Sequence, residues 1–143
     1  MGYAYHIELH NRSGYNSDDL RHFFERGLRA MRVPRSKKLQ VTVVASPVRS
    51  RGCAEVGGNR MVIAIASPSH FSIRRLARLF EHEVSHTLGM QHSEMPEKLL
   101  YSLGSTPDWA KVRIRYSKRA PNQLALLGDR RKQKRYKSWE YKS

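Results

Sequence analysis

Residues 82 to 92 read His82-Glu83-Val84-Ser85-His86-Thr87-Leu88-Gly89-Met90-Gln91-His92, or H-E-x-x-H-x-x-G-x-x-H. Three imidazoles and a carboxylate at this spacing suit a metal site with a built-in base. The spacing predicts a helix over residues 70–88. Each residue advances about 100° on a helix, so His82 and His86 lie about 40° apart on one face, one turn above the other. Two imidazoles so placed can chelate one ion. His92 would be about 240° away from His86 on a continued helix and joins the pair only if the chain turns back. Gly89 supplies that turn, because a residue ending a helix often adopts the left-handed conformation, which glycine enters without a Cβ penalty.

The ligand count specifies the chemistry. Three neutral imidazoles leave the fourth tetrahedral position of a zinc ion for water, as in catalytic sites, whereas structural zinc is usually closed by four protein ligands rich in cysteine. The chain has one cysteine, Cys53. Zinc lowers the pKa of its bound water to about 7 and polarises a carbonyl oxygen. Glu83 is the carboxylate that would take the proton and pass it to a leaving amine.

At these residues the chain resembles the zinc-dependent metallopeptidases, and the long motif is similar to that of the metzincin clan of the zincins. The resemblance covers eleven residues at five fixed positions. It implies that His82, His86 and His92 ligate one Zn2+ per chain, that Glu83 is the catalytic base, and that the substrate is a protein or peptide. Metzincins also place a methionine in a turn beneath the metal; here the only downstream methionine is Met95, and the preferred reading of it is a packing residue before a helix begun by Pro96. They often carry a tyrosine that assists the transition state. Tyr101 and Tyr116 are the candidates, and an ordinary surface or packing role is the preferred reading of each.

The elements that must position this motif follow from periodicity. Tyr3 to His10 alternates, with Tyr5, Ile7 and Leu9 on one face, and reads as a strand, followed by a loop over 11–16. Ser17 is a candidate cap for a helix with Asp18 and Asp19 in its first turn and a stripe of Leu20, Phe23, Phe24, Gly27, Leu28 and Met31 that ends before Pro34. Leu39, Val41 and Val43 mark a second strand stopping near Pro47, residues 48–56 a third, Gly57-Gly58-Asn59 a turn, and residues 60–66 a fourth. Ser67, Ser69 or Ser72 can cap the motif helix, whose buried stripe is Phe71, Ile73, Leu76, Ala77, Phe80, Val84 and Leu88. Beyond His92, Pro96, Pro107 and Pro121 are helix starts, the second with Trp109, Val112 and Tyr116 on one face; alternation over 111–116 leaves a strand open there.

The expected class is therefore α+β. The resemblance adds a zincin-like mixed sheet packed on an N-terminal helix and the active-site helix, with a short, mostly helical C-terminal part. In such enzymes an extended substrate pairs with the edge strand beside the metal. Residues 60–66 or 48–56 would be that strand. At 143 residues the chain makes one domain, taken as 1–128, with a basic tail over 129–143. No apolar run reaches the roughly 18 residues of a membrane span, and the N-terminus lacks a secretory signal, so a cytoplasmic address without a pro-segment is expected. Cys53 is consistent with a reducing compartment; its thiol could block the metal or act as a small buried hydrophobe.

Charge carries the second signal. The 27 basic and 12 acidic residues give +15. Residues 111–143 hold 12 basic and 2 acidic side chains, so +10 lies there and +5 in residues 1–110. The run Arg130-Arg131-Lys132-Gln133-Lys134-Arg135-Tyr136-Lys137-Ser138-Trp139 mixes cations and aromatics, which suits a nucleic acid or other polyanion; a solvated basic tail is the alternative. This charge motivates rival readings: a zinc-dependent endoribonuclease, a family with the same three-histidine spacing but usually glycine at the position of Glu83; a nucleic-acid-tethered protease; and a noncatalytic zinc staple. Glu83 favours peptide hydrolysis.

Overall fold

The computed structural model describes residues 5–94 and 112–116. The chain runs β1 (His6–Arg12), α1 (Ser17–Ala30), β2 (Lys38–Ser46), β3 (Arg51–Ala54), β4 (Arg60–Ala66) and α2 (Ile73–Thr87), with short 3-10 turns at Pro68–His70 and His92–Glu94. The four strands form one mixed sheet in the order β1-β2-β4-β3. β1, β2 and β4 are parallel, and β3 pairs antiparallel with β4. The expected α+β class with a mixed sheet and two helices is what the chain adopts.

Strand alternation explains the main core. Ile7 of β1, Leu39, Val41 and Val43 of β2, Met61, Ile63 and Ile65 of β4, and Ala54 of β3 are buried in one cluster with residues of both helices. The helices therefore lie on the same face of the sheet. Phe24 of α1 stacks on Phe80 of α2 at 4.7 Å between ring centroids, and Phe23 reaches the same ring at 6.2 Å. Fully burying each such side chain contributes about 1.5–3 kcal/mol, so these aromatics are a main reason α2 sits at a defined angle on the sheet.

Several boundaries differ from expectation. β1 extends through Asn11 and Arg12, because parallel pairing with Val43 and Val44 draws these residues out of the expected loop. Asn16, not Ser17, caps α1: the Asp19 N–H donates to Asn16 Oδ1 at 3.0 Å, while Ser17 is already helical. α1, by contrast, ends ahead of Pro34 as expected, through Met31 and a positive φ at Arg32. β3 is only four residues long, since 47–50 is spent on a turn in which the Ser46 hydroxyl donates to the Arg49 carbonyl. α2 starts at Ile73 rather than 70, capped by Ser72, whose Oγ accepts from the Arg75 N–H.

Residues 112–116 are not helical. Tyr116 forms an isolated antiparallel bridge with Tyr15. The Arg115 N–H and guanidinium donate to the Asp19 carboxylate at 2.9–3.1 Å. Alternation buries Ile114 between two exposed arginines, so the two-residue period describes this segment and the helical face of Val112 and Tyr116 does not form. The helix starts at Pro96, Pro107 and Pro121 and the 129–143 tail lie outside the described residues. Among the described residues no helix is long and apolar enough to cross a membrane.

Candidate metal centre

The motif occupies the last turn of α2 and the loop that follows. His82 and His86 project from one helical face as their spacing requires; His86 is fully buried, His82 half-buried and His92 exposed. Past Thr87 the helix ends in a Schellman motif: the Gly89 N–H donates to the His86 carbonyl at 2.9 Å and the Met90 N–H to the Ser85 carbonyl at 3.0 Å. Gly89 has φ of 100°, as the motif required of its glycine. The reversal brings His92 back onto the histidine face.

The three ring nitrogens converge. His86 Nε2 lies 3.1 Å from His82 Nε2, which lies 3.2 Å from His92 Nε2. Zinc–nitrogen bonds of about 2.0–2.1 Å at tetrahedral angles put neighbouring ligand nitrogens about 3.3 Å apart. The cluster is thus close to the size of a three-imidazole metal site without rearrangement.

Protonation agrees with that use. His86 Nδ1 is 2.7 Å from the Met90 carbonyl oxygen, which can only accept, so the proton sits on Nδ1 and the Nε2 lone pair faces the other two rings. Burial pushes the His86 pKa below the ordinary histidine value, with the nearby His92 acting in the same direction and the Met90 carbonyl opposing. The neutral ring is the ligating form.

Glu83 lies on the same helix and is buried, only 3% exposed. Its side chain lies against β3: a Cβ placed on Gly52 would stand 3.0 Å from Glu83 Oε2 and 3.1 Å from its Cγ. β3, the outer strand on the α2 side of the described sheet, therefore runs directly over the carboxylate. This corrects the expectation for residues 60–66, because β4 is interior, hydrogen-bonded to β2 on one side and β3 on the other. β3 alone carries forward the edge-strand reading.

The turn between β3 and β4 docks on the helix end. The Gly57 N–H donates to the His86 carbonyl at 2.9 Å, and Gly57 takes φ of 72° to do so. The Lys37 ammonium donates to the carbonyls of Gly58 and Thr87, each at 2.8 Å. The glycine pair signals a turn in the sequence, but nothing local shows that it meets the metal helix, and Lys37 carries no signal at all.

The remaining candidates separate clearly. Tyr116 packs on Tyr15 at 5.0 Å, and Tyr15 in turn touches Phe71 and donates to the Ala66 carbonyl. Phe71 precedes α2 and His86 is near its end; the helix from Ile73 to His86 alone spans about 20 Å. Tyr116 therefore belongs to the opposite end of the molecule and does not serve the histidines. Cys53 packs with Val62 and Val44 on the sheet face away from the helices, so it is a small buried hydrophobe and not a thiol aimed at the metal. Met95 and Tyr101 lie outside the described residues. No known family model matches the chain, and no curated protein or solved structure is significantly similar to it.

Proposed function

We propose that the chain is a zinc-dependent endopeptidase with a zincin-like catalytic domain. The observation that carries this reading is the convergence of His82, His86 and His92 through their Nε2 atoms, with Glu83 on the same helix beneath the edge strand. When bound, one zinc ion would activate water and polarise the scissile carbonyl. Glu83 would take the proton and return it to the departing amine. It is buried under β3, against Gly52. An extended peptide adding to β3 would gain main-chain hydrogen bonds while its scissile bond lay across the end of α2.

The element order, with a short antiparallel strand beside the metal helix, is consistent with the zincin reading. The strong positive charge favours a second reading, a zinc-dependent endoribonuclease using the same three histidines. Glu83 argues for the peptidase, since the ribonuclease needs no carboxylate there. The deciding experiment is cleavage of casein by zinc-loaded protein, with Glu83→Gln and a structured RNA alongside. The peptidase reading predicts casein cleavage that falls at least about a hundredfold in the glutamine variant while zinc stays bound. Intact casein with zinc-dependent RNA cleavage would replace it with the ribonuclease.

A further inference from the structure

The histidine cluster sits where a helix constrains itself least. The last carbonyls of a helix lack partners within it; here the Schellman turn takes those of Ser85 and His86, and donors from remote segments add to its hold on the helix end. In this chain the outside donors are Gly57, on the His86 carbonyl, and Lys37, on the Thr87 carbonyl. Lys37 immediately precedes β2, and its second bond, to the Gly58 carbonyl, reaches the β3–β4 turn. One ammonium therefore joins the end of α2, the turn that docks on His86 and the start of β2. The cation also stands at the negative end of the helix dipole. Its pKa is pushed below the ordinary lysine value by burial, as expected of a charge drawn out of water to make these bonds.

We propose that Lys37 is a positioning residue of the histidine cluster: by tying the Thr87 carbonyl to the Gly57-Gly58 turn, it fixes the last turn of α2, the direction of the His86 ring and the departure of the loop that returns His92. This rests on the reading of the three histidines as a metal site. Lys37 acts through the backbone of residues 57–58 and 86–87. A lysine that merely stabilised the fold would be indifferent to the metal.

Zinc affinity, measured on the full chain by competition with a chromophoric chelator at a temperature where each protein is folded, separates the two roles. Four variants are compared with the parent: Lys37→Met, Lys37→Arg, Tyr15→Phe and His86→Ala. Tyr15→Phe removes the hydrogen bond to Ala66 at the far end of α2 and serves as a destabilised control. Loss of a group bonded directly to a metal ligand typically weakens binding about 10–100-fold; Lys37 acts one step farther out, through the Thr87 backbone, so Lys37→Met should lose about tenfold, the low end of that range. Lys37→Arg, which can still bridge two carbonyls, should recover most of that loss. Tyr15→Phe should lower the melting temperature and leave zinc affinity unchanged. Parental affinity in Lys37→Met, whatever its melting temperature, would overturn the proposal and leave the metal site standing. Should the parent bind zinc no better than His86→Ala, the metal-site reading itself would fall, and Lys37 with it. If Lys37→Met does not fold, Lys37→Gln takes its place under the same criterion.

Discussion

Replacing Gly52 by alanine tests whether the edge strand and the buried carboxylate constrain each other. The new Cβ would stand 2.9 Å from the Val62 carbonyl oxygen, 3.0 Å from Glu83 Oε2 and 3.1 Å from Glu83 Cγ. The first neighbour is backbone of β4, held by pairing on both sides, so it cannot yield cheaply. The second is a carboxylate that can swing aside only by leaving its place under β3. Overpacking of this kind costs about 1–3 kcal/mol. Alanine in a strand recovers about 0.5–1 kcal/mol of backbone entropy relative to glycine. The net expectation is a loss of about 0.5–2 kcal/mol, or a melting temperature lowered by about 2–8 °C for a domain of this size. Zinc affinity should stay at the parental value, because the ligands come from α2 and its following loop. On the proposed peptidase reading casein cleavage should drop, because the group displaced is the proposed base. A double-mutant cycle with Glu83→Ala isolates the contact: removing the carboxylate should relieve part of the alanine's cost, with a coupling of at least about 0.5 kcal/mol. A Gly52→Ala protein as stable as the parent, with no coupling to Glu83, would refute the reasoning.

Two further predictions concern the turn and the surface. Gly89→Ala meets no atom within 4 Å, so its cost is purely that of holding φ at 100°; about 1–2 kcal/mol of stability should be lost in thermal melts, together with zinc affinity, since the same turn presents His92 and the Met90 carbonyl. The Asp19 carboxyl is held below its ordinary value chiefly by the hydrogen bond from the Arg115 side chain. A depressed carboxylate stabilises above the unfolded value and loses that contribution as pH falls through the folded one. Urea melts of Arg115→Gln should therefore fall below the parent above about pH 4 and merge with it well below that, and a gap that persisted in strong acid would refute this account.

The motif was legible because its geometry is local. A four-residue spacing stacks two imidazoles on any helix, and a glycine after the last turn reverses the chain wherever the helix lies, so the convergence of His82, His86 and His92 follows from a dozen consecutive residues. The stripes of both helices, the alternation of β1 and β2 and the apolar run of β4 were readable for the same reason, since each depends on a pattern within one segment; Leu88, expected in the buried stripe of α2, is 47% exposed because it lies past the last helical residue, where the chain turns away. Boundaries shifted where a neighbour intervened: pairing with β2 lengthened β1, and the Asp19–Arg115 contact and Tyr15 bridge held 112–116 extended.

What surrounds the histidines was decided by pairing between distant segments. Only the strand order makes β3 the outer strand and buries β4, although β4 is the more apolar of the two. Residue 52 lies over residue 83, and residues 37 and 57 reach the helix end at 86 and 87, through contacts spanning thirty to fifty positions. No local periodicity encodes such meetings. By itself the sequence determined which side chains can hold a metal, because that is a property of one helix and one turn; the tertiary structure decided what holds the helix end still and what lies over Glu83, because those depend on how the sheet brings remote backbone together.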